Sequence, residues 1–391
     1  MEIHKVLKTK SGLYFRNDGE YGGFVFSPFS GLIYGIHYSS TKNVFEYLEN
    51  INAGNVDSVI KKCLGLGWDN NITVEHVKPH LLPSEGNWKN NNTDNPILIN
   101  WLITGNCTHD CLYCYAEDLM RGRIEEPTEK TIEETAKIIL SYNPLAIVLT
   151  GGEPLLSPYI NKILDLIHGK AGIMIDTNGY ALTDELIALF KKYDVVLRVS
   201  LDSPRPRVND RLRPLKTKSK KVKKGFETSF NALCKALDAG ITVVVQSVLT
   251  SENENELLEF GDLLVTLGVK AWRIQIVMPS NIKKEASIKL HAPKSKSKSK
   301  KNEKSYRFSI EELLSRYKYT WKECMSLQIS NYGEKTVNNV ILVSPDGNFY
   351  TEHVTGNKKV LIDEENPKKP TVNKIQNQVN SSSHFVRYMN I

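Results

Sequence analysis

From residue 97 onward, short apolar segments rich in β-branched residues alternate with segments whose apolar positions recur at helical spacing. Six such apolar segments lie between 97 and 279, beginning with PILINWLIT and ending with VKAWRIQIVMP. Near-continuous apolar strands joined by helices are typical of a parallel sheet covered on both faces. Since a closed barrel of this kind needs eight units, the pattern predicts an α/β fold with a partial (β/α)6 TIM-type barrel over 97–280.

Residues 1–82 have a different pattern and are predicted to form a small separate domain. GLYFR, GGFVF and GLIYGIH are strand-like and punctuated by glycine, and TKNVFEYLENI and VDSVIKKCLGLGW then show helical spacing. Three strands followed by two helices suit a winged-helix-like domain. The polar residues 83–96 are predicted to be a linker.

The chain beyond the barrel divides into a basic loop at 281–306 and a small α+β extension at 307–391. The extension contains an amphipathic helix and a hairpin around a PDG turn. Two lysine-rich stretches, 216–224 and 281–304, carry most of the lysine excess in a chain of net charge +7. They are either solvated loops or a basic rim that attracts an acidic peptide or nucleic acid. Neither stretch interleaves aromatic residues, which disfavours a stacking surface for nucleic acid.

The composition indicates a cytoplasmic protein. Six cysteines in 391 residues are too few for a disulfide-stapled secreted protein. The first residues contain no apolar signal segment, and no stretch approaches the roughly 18 apolar residues of a membrane helix. In a reducing compartment, clustered thiols more often indicate metal binding or catalysis than cross-links.

Three cysteines, Cys107, Cys111 and Cys114, follow the first predicted strand in a C-x3-C-x2-C pattern. Strands two to four end in GGEP, TNG and SLDS, and functional groups collect at the carboxyl ends of parallel strands. A structural zinc site needs four ligands, and His109 is poorly placed to be the fourth. A C-x-x-C redox pair would leave Cys107 without a role. Three thiolates on one loop favour an iron–sulfur cluster with one iron open to another ligand, while zinc and disulfide exchange remain alternatives.

The cysteine pattern, with Tyr113 before the third cysteine, resembles the signature of the radical S-adenosylmethionine (SAM) superfamily. GGEP at 151–154 is similar to the second mark of that family, and TNG and SLDSPRPRVNDRLR (200–213) resemble further family stretches. The resemblance implies one [4Fe–4S] cluster on the three cysteines and SAM as cosubstrate. It also implies an electron donor such as flavodoxin or ferredoxin. Reductive cleavage of SAM would give a 5′-deoxyadenosyl radical that abstracts hydrogen from a substrate.

The same resemblance assigns residues to SAM. Gly151 and Gly152 would allow close backbone approach because they lack a Cβ, and Glu153 would accept hydrogen bonds from the SAM ammonium. Arg213 would pair with the carboxylate, with Arg211 as a close competitor. The other expected cofactor contacts are Ser200 and Asp202 to the ribose, Tyr113 to the adenine, and Asn178. Ordinary turn chemistry is the alternative for Ser200, Asp202 and Asn178.

The ends of the chain indicate a peptide substrate. ILVSPDGNFY (341–350) resembles the start of the SPASM extension of peptide-maturing members, but no cysteine follows Cys324, which implies a degenerate extension without an auxiliary cluster. Residues 1–82 resemble a leader-peptide recognition element, which binds by adding a strand to a sheet edge, with a plain packing domain as the alternative. The expected partner is a ribosomally made precursor peptide with an acidic leader, which becomes cross-linked or epimerised. Cys324 is a candidate hydrogen-atom donor, with packing as the alternative.

Two other functions remain open. The lysine excess would also suit a radical SAM enzyme for RNA or a nucleotide-like small molecule. The chain could instead be a regulatory binding protein that keeps the cluster without cleaving SAM, although the complete cysteine triad and GGEP argue against this.

Overall fold

The structure is a computed structural model. It describes residues 2–19, 23–36, 45–46, 49, 79–80, 95–120, 125–216, 225–277, 303–330, 341–352, 359–370 and 388–390. The predicted helix VDSVIKKCLGLGW, most of the predicted linker, and the lysine-rich residues 217–224 and 281–302 lie outside these ranges.

An antiparallel sheet forms the N-terminal part of the chain. Its strands, paired in chain order, are β1 (Val6–Lys8), β2 (Tyr14–Asn17), β3 (Gly23–Ser27), β4 (Leu32–Ile36) and β5 (Pro79–His80). The three predicted strands correspond to β2, β3 and β4. The three-residue β1 is too short to show a period in the sequence. The described residues between β4 and β5 include helical positions at 45–46 and 49, and the winged-helix assignment stays a prediction.

The second sheet contains the predicted parallel barrel. Its six central strands lie side by side in chain order and pair in parallel: β6 (Leu98–Leu102), β7 (Ala146–Thr150), β8 (Gly172–Thr177), β9 (Val196–Ser200), β10 (Val243–Leu249) and β11 (Ala271–Ile276). This order confirms the α/β fold with a partial barrel.

Helices connect the strands of this sheet, and most of them pack against its outer face. They are α1 (Glu117–Met120), α2 (Glu129–Ser141), α3 (Ile160–Ile167), α4 (Asp184–Lys192), α5 (Pro206–Leu212), α6 (Gly225–Asp238), α7 (Leu257–Thr266) and α8 (Glu303–Arg316), which continues into a π-helical turn, Tyr317–Trp321. Helices α1 and α5 instead lie at the cysteine loop. Thr128 caps the N-terminus of α2, since its side chain accepts the Thr131 N–H. None of the helices within the described ranges has the length and apolar character needed to cross a membrane.

The C-terminal strands extend the barrel sheet at both edges. Strand β12 (Ser326–Ser330) pairs in parallel with β11, and β13 (Ile341–Val343) pairs in parallel with β6. An open barrel leaves unpaired backbone groups on its two edge strands, and these strands cover them. The predicted hairpin at PDG is confirmed, because β13 pairs with β14 (Phe349–Glu352). The outermost strands are β15 (Lys359–Leu361) and β16 (Tyr388–Asn390).

The N-terminal sheet closes the amino-terminal end of the barrel. Phe26 is fully buried against the start of β8, and its core cluster includes Val196 and Val244 from the inner faces of β9 and β10. A buried ion pair, Arg16–Asp18, also joins the two parts, because the Arg16 Nη1 donates to the carbonyls of Pro96 and Asn143 at 2.7 and 2.8 Å. The N-terminal sheet is thus fixed at the end of the barrel opposite the cysteine loop.

Candidate functional site

The loop that carries the three cysteines begins directly after β6, at the carboxyl end of the parallel strands. Its first residues are anchored by Glu126, whose carboxylate accepts the Gly105 N–H and the Thr104 hydroxyl, both at 2.7 Å. Cys107, Cys111 and Cys114 follow and are each partly exposed. Glu126 could not be recognised from the sequence, because no motif marks a carboxylate that binds a loop some 20 residues earlier.

A second segment, residues 212–216, runs antiparallel along the cysteine loop. Its backbone contacts are Leu112 N–H to Leu212 O at 3.1 Å, Asp110 N–H to Pro214 O at 2.7 Å, and Lys216 N–H to Thr108 O at 2.7 Å. This pairing places Arg213 beside the cysteines. It joins segments about a hundred residues apart, so the local sequence pattern contained no signal for it.

The double-glycine turn after β7 packs against the loop just before Cys107. Gly151 has φ of +128°, and a Cβ on it would lie 2.4 Å from the Thr104 carbonyl oxygen. A Cβ on Gly152 would lie 2.0 Å from the Asn106 carbonyl oxygen. The turn also donates two backbone hydrogen bonds, Gly152 N–H to Thr104 O and Glu153 N–H to Asn106 O, at 2.9 and 2.6 Å. The two glycines therefore position the cysteine loop, in addition to the approach to SAM expected of them.

Glu153 is fully buried beneath this turn. Its Oε1 accepts hydrogen bonds from the Thr177 hydroxyl and the Leu155 N–H at 2.6 and 3.1 Å, and Oε2 accepts the Asn178 N–H at 2.7 Å. Burial raises the pKa of Glu153 to about 7, although these hydrogen bonds act in the opposite direction. Since a carboxylate oxygen can accept two hydrogen bonds, Oε2 retains capacity for a further donor.

Asn178 connects the end of β8 to the first cysteine. Its Nδ2 donates to the Thr108 hydroxyl at 3.2 Å and lies 3.9 Å from the Cys107 Sγ. Its Oδ1 accepts the Tyr180 N–H at 2.9 Å, as in an Asx turn. Asn178 thus has both the turn role and a position at the cysteine loop.

Tyr113, Asp202 and Arg213 form a buried group on the other side of the loop. The Tyr113 hydroxyl donates to Asp202 Oδ2, and Arg213 Nη1 donates to the Tyr113 hydroxyl at 3.2 Å. Arg213 Nη1 also lies 3.7 Å from Asp202 Oδ2. Arg211 instead pairs with Glu252 and is partly exposed. The structure therefore brings Arg213 to the site and leaves Arg211 outside it.

Asp202 accepts a hydrogen bond on each of its carboxylate oxygens. Its side chain is inaccessible, and Oδ1 accepts the Val248 N–H at 2.7 Å while Oδ2 receives the Tyr113 hydroxyl. Asp202 thus positions Tyr113 and Arg213, and its expected contact with the ribose stays a prediction. Ser200, at the partly exposed end of β9, stays a candidate for the ribose.

Cys324 does not lie at this site. It immediately precedes β12, which runs parallel to the barrel strands, so it lies at their amino-terminal end. A five-residue strand spans about 17 Å, and the three cysteines lie at the opposite end. Cys324 is also exposed. A hydrogen-atom donor must contact the substrate radical, so this placement contradicts the role expected for Cys324.

The residues at the site fit an iron–sulfur cluster. The Arg213 Nε is buried without a hydrogen-bond partner, which is costly unless an anionic group accepts it. Burial raises the pKa of Cys107 to about 11, and a metal would be needed to hold this thiol as a thiolate. In the part of the chain that the structure describes, no three His, Cys, Asp or Glu side chains converge on one ion. Each thiolate of a cubane binds a different iron, so three cysteines can hold such a cluster without converging on one ion.

Residues 101–264 match the sequence profile of the Radical SAM superfamily. Over 184 residues, or 45% of the chain, the sequence is 28% identical to the antilisterial bacteriocin subtilosin biosynthesis protein AlbA of Bacillus subtilis, of which 38% is covered. It is 26% identical over 47% of the chain to the AdoMet-dependent heme synthase of Nitratidesulfovibrio vulgaris, of which 48% is covered. The chain thus spans half or less of the length of these relatives.

The fold is similar to that of Streptococcus suis SuiB in its complex with S-adenosylmethionine. The TM-score is 0.55 at 13% identity, with 88% of this chain and 82% of SuiB covered. At this identity the likeness concerns the fold alone. Together with the cysteine loop and the GGE turn, the profile match identifies residues 101–264 as a radical SAM domain, whose family uses a [4Fe–4S] cluster and SAM.

Proposed function

We propose that this protein is a radical SAM enzyme that acts on a ribosomally made peptide. The observation that carries the first part is the convergence, at one end of the barrel, of three cysteines, the buried carboxylate of Glu153 and the buried guanidinium of Arg213. When bound, the cluster and SAM supply a 5′-deoxyadenosyl radical that abstracts a hydrogen atom from the substrate.

The chain's own residues bind, orient and shield these groups. Cys107, Cys111 and Cys114 hold the cluster. The Glu153 Oε2 accepts a hydrogen bond from the SAM ammonium, which is a charge-assisted contact. Arg213 pairs with the carboxylate of SAM, and Ser200 contacts the ribose of SAM. The aromatic residues of the N-terminal sheet close the far end of the barrel, which keeps water from entering the barrel there.

A peptide substrate is supported by similarity and charge. AlbA is named for the biosynthesis of a bacteriocin, and SuiB has a structure bound to its precursor peptide SuiA. The net charge of +7 favours an acidic leader. The segment 212–216 pairs with the cysteine loop, and the lysine-rich residues 217–224 come directly after it in the sequence. A run of positive charge therefore follows the site residues along the chain. An acidic electron donor such as flavodoxin or ferredoxin would be attracted in the same way.

The first experiment tests the chemistry. The full chain is reconstituted anaerobically with iron and sulfide, reduced with dithionite and given SAM, and 5′-deoxyadenosine is measured by mass spectrometry. We expect about four irons per chain and nucleoside from the wild type, but no nucleoside from Cys111→Ala. The matched control is Cys324→Ala, which removes a thiol at the opposite end of the barrel and should behave as the wild type. Bound zinc with no iron would refute the proposal.

The second experiment tests the substrate class. The active protein is supplied in turn with a short peptide encoded beside its gene, a transfer RNA and a tetrapyrrole, and each product is analysed for a mass change that depends on SAM. A mass change confined to the peptide is expected. Modification of the RNA or the tetrapyrrole with the peptide unchanged would contradict the peptide assignment and leave the radical chemistry intact.

A further inference from the structure

The backbone of Arg213 is held in place from two sides. The flanking residues Leu212 and Pro214 accept backbone hydrogen bonds from the cysteine loop, and the Arg213 N–H donates to the Asn209 carbonyl at 2.8 Å. The residue therefore cannot leave the cysteine loop without breaking the pairing of the two segments.

The side chain of Arg213 points into the same region. Its Nη1 donates to Tyr113, which lies between the second and third cysteines in the chain, and Asp202 lies 3.7 Å from the same nitrogen. Its Nε is buried and has no hydrogen-bond partner. One edge of the guanidinium is thus bound to protein, and Nε retains an unsatisfied donor.

Arg213 lies opposite Cys111, because the two neighbours of Cys111, Asp110 and Leu112, donate backbone hydrogen bonds to the two neighbours of Arg213. Within the described residues at this site, the other cationic side chain is Lys216, which is exposed and screened by water. Arg213 supplies the buried positive charge beside the cluster ligands.

A cluster held by three thiolates gains one more negative charge when it accepts an electron. A nearby fixed cation in a low-dielectric site stabilises the reduced state more than the oxidised state, and local charges are among the factors that set cluster potentials. We propose that Arg213 is a positioning residue that raises the reduction potential of the [4Fe–4S] cluster, independently of any contact with SAM. This inference rests on the proposed function, because it requires the cluster.

The test is an EPR-monitored redox titration of the reconstituted full chain without SAM, so that pairing with the SAM carboxylate cannot contribute. Arg213→Gln should lower the equilibrium constant for one-electron reduction by about tenfold, which is a midpoint lower by about 59 mV. Arg213→Lys retains the charge and should restore most of the wild-type midpoint. Because the titration detects loaded protein, partial loss of iron from a variant does not affect the comparison.

Arg211→Gln is the matched control, since it removes the same charge two residues earlier from a pair with Glu252 that lies outside the site. Its midpoint should equal that of the wild type. The inference is overturned if Arg213→Gln keeps the wild-type midpoint, if Arg211→Gln falls equally, or if Arg213→Lys falls as far as Arg213→Gln. It is also overturned if Arg213→Gln binds no iron, because Arg213 would then be needed for assembly. Failure of the wild type itself to bind a cluster would instead refute the proposed function.

Discussion

A Cβ atom on Gly172 would lie 2.0 Å from the Cδ1 of Phe26, so the two residues fit together because residue 172 has no side chain. This contact joins the N-terminal sheet to the first residue of β8. Phe26→Ala should lower the free energy of unfolding by about 3–5 kcal/mol, because it removes a fully buried ring and leaves a cavity. Urea unfolding of the apoprotein at constant m-value measures the change.

A double-mutant cycle tests whether the contact is direct. Gly172→Ala alone should destabilise by about 1–3 kcal/mol through overpacking. In the Phe26→Ala background the added methyl group enters the cavity, so the same change should cost at least about 1 kcal/mol less. Additive effects of the two substitutions would show that the N-terminal sheet does not close the barrel in this way.

The turn at Gly152 gives a prediction for cluster assembly. Gly152→Ala should lose most of the reconstituted iron, because the new Cβ would meet the Asn106 carbonyl at 2.0 Å and displace the backbone that leads to Cys107. Iron and sulfide analysis after reconstitution measures the loss. Gly169→Ala is the control: its φ of +73° is strained for alanine, but no atom lies within 4 Å of the added Cβ. Equal iron in the two variants would contradict the prediction.

Weakening the hydrogen bonds from the cysteine loop to Glu126 should have a smaller effect on iron binding than Gly152→Ala. Glu126→Gln replaces a charged acceptor of two hydrogen bonds, and we expect a loss of about 0.5–1.5 kcal/mol in the stability of the loop. The measurement is the rate at which a chelator removes iron from the reconstituted protein, which should rise several-fold. Glu125→Gln removes the same charge from the preceding exposed residue and should leave the rate unchanged. A rate unaffected by Glu126→Gln would show that the anchor is dispensable.

The barrel was predictable because its strands and helices have different hydrophobic periods, which are local properties of the sequence. The covering of its edges by β12 and β13 was not, since pairing between strands about 55 and 240 residues apart leaves no local pattern. The partners of charged residues inside the strands could not be predicted from the sequence either. Arg198 and Asp176 interrupt apolar runs, and only the structure shows that Arg198 Nη2 donates to Asp176 Oδ2 at 2.8 Å on the inner face of the barrel.

The candidate site divides in the same way. The place of Cys107, Gly152 and Glu153 at the site could be predicted from motif spacing, because each follows the end of a recognisable strand. The sequence could not distinguish Arg213 from Arg211, which have the same charge and lie two residues apart. It could not place Cys324 either, because a lone thiol before a strand carries no information about which end of the barrel that strand enters.

Glu153 gives a prediction for stability against pH. Its pKa is raised by burial to about 7 in the folded protein, compared with about 4.3 in an unfolded chain. Between these values the folded state binds more protons than the unfolded state, so this residue's contribution to the unfolding free energy falls as the pH rises from about 4.3 to about 7. Glu153→Gln cannot ionise and should lack this slope.

The measurement is urea unfolding of the apoprotein at several pH values, with the difference between wild type and Glu153→Gln plotted against pH. The difference is needed because His109 acts in the opposite direction. Burial lowers the pKa of His109 to about 3, so its contribution to stability rises with pH up to about 6.5. His109 is common to both proteins and cancels. A difference that is flat between pH 4.5 and 7 would show that Glu153 is ionised throughout, and that the three hydrogen bonds to its carboxylate outweigh its burial.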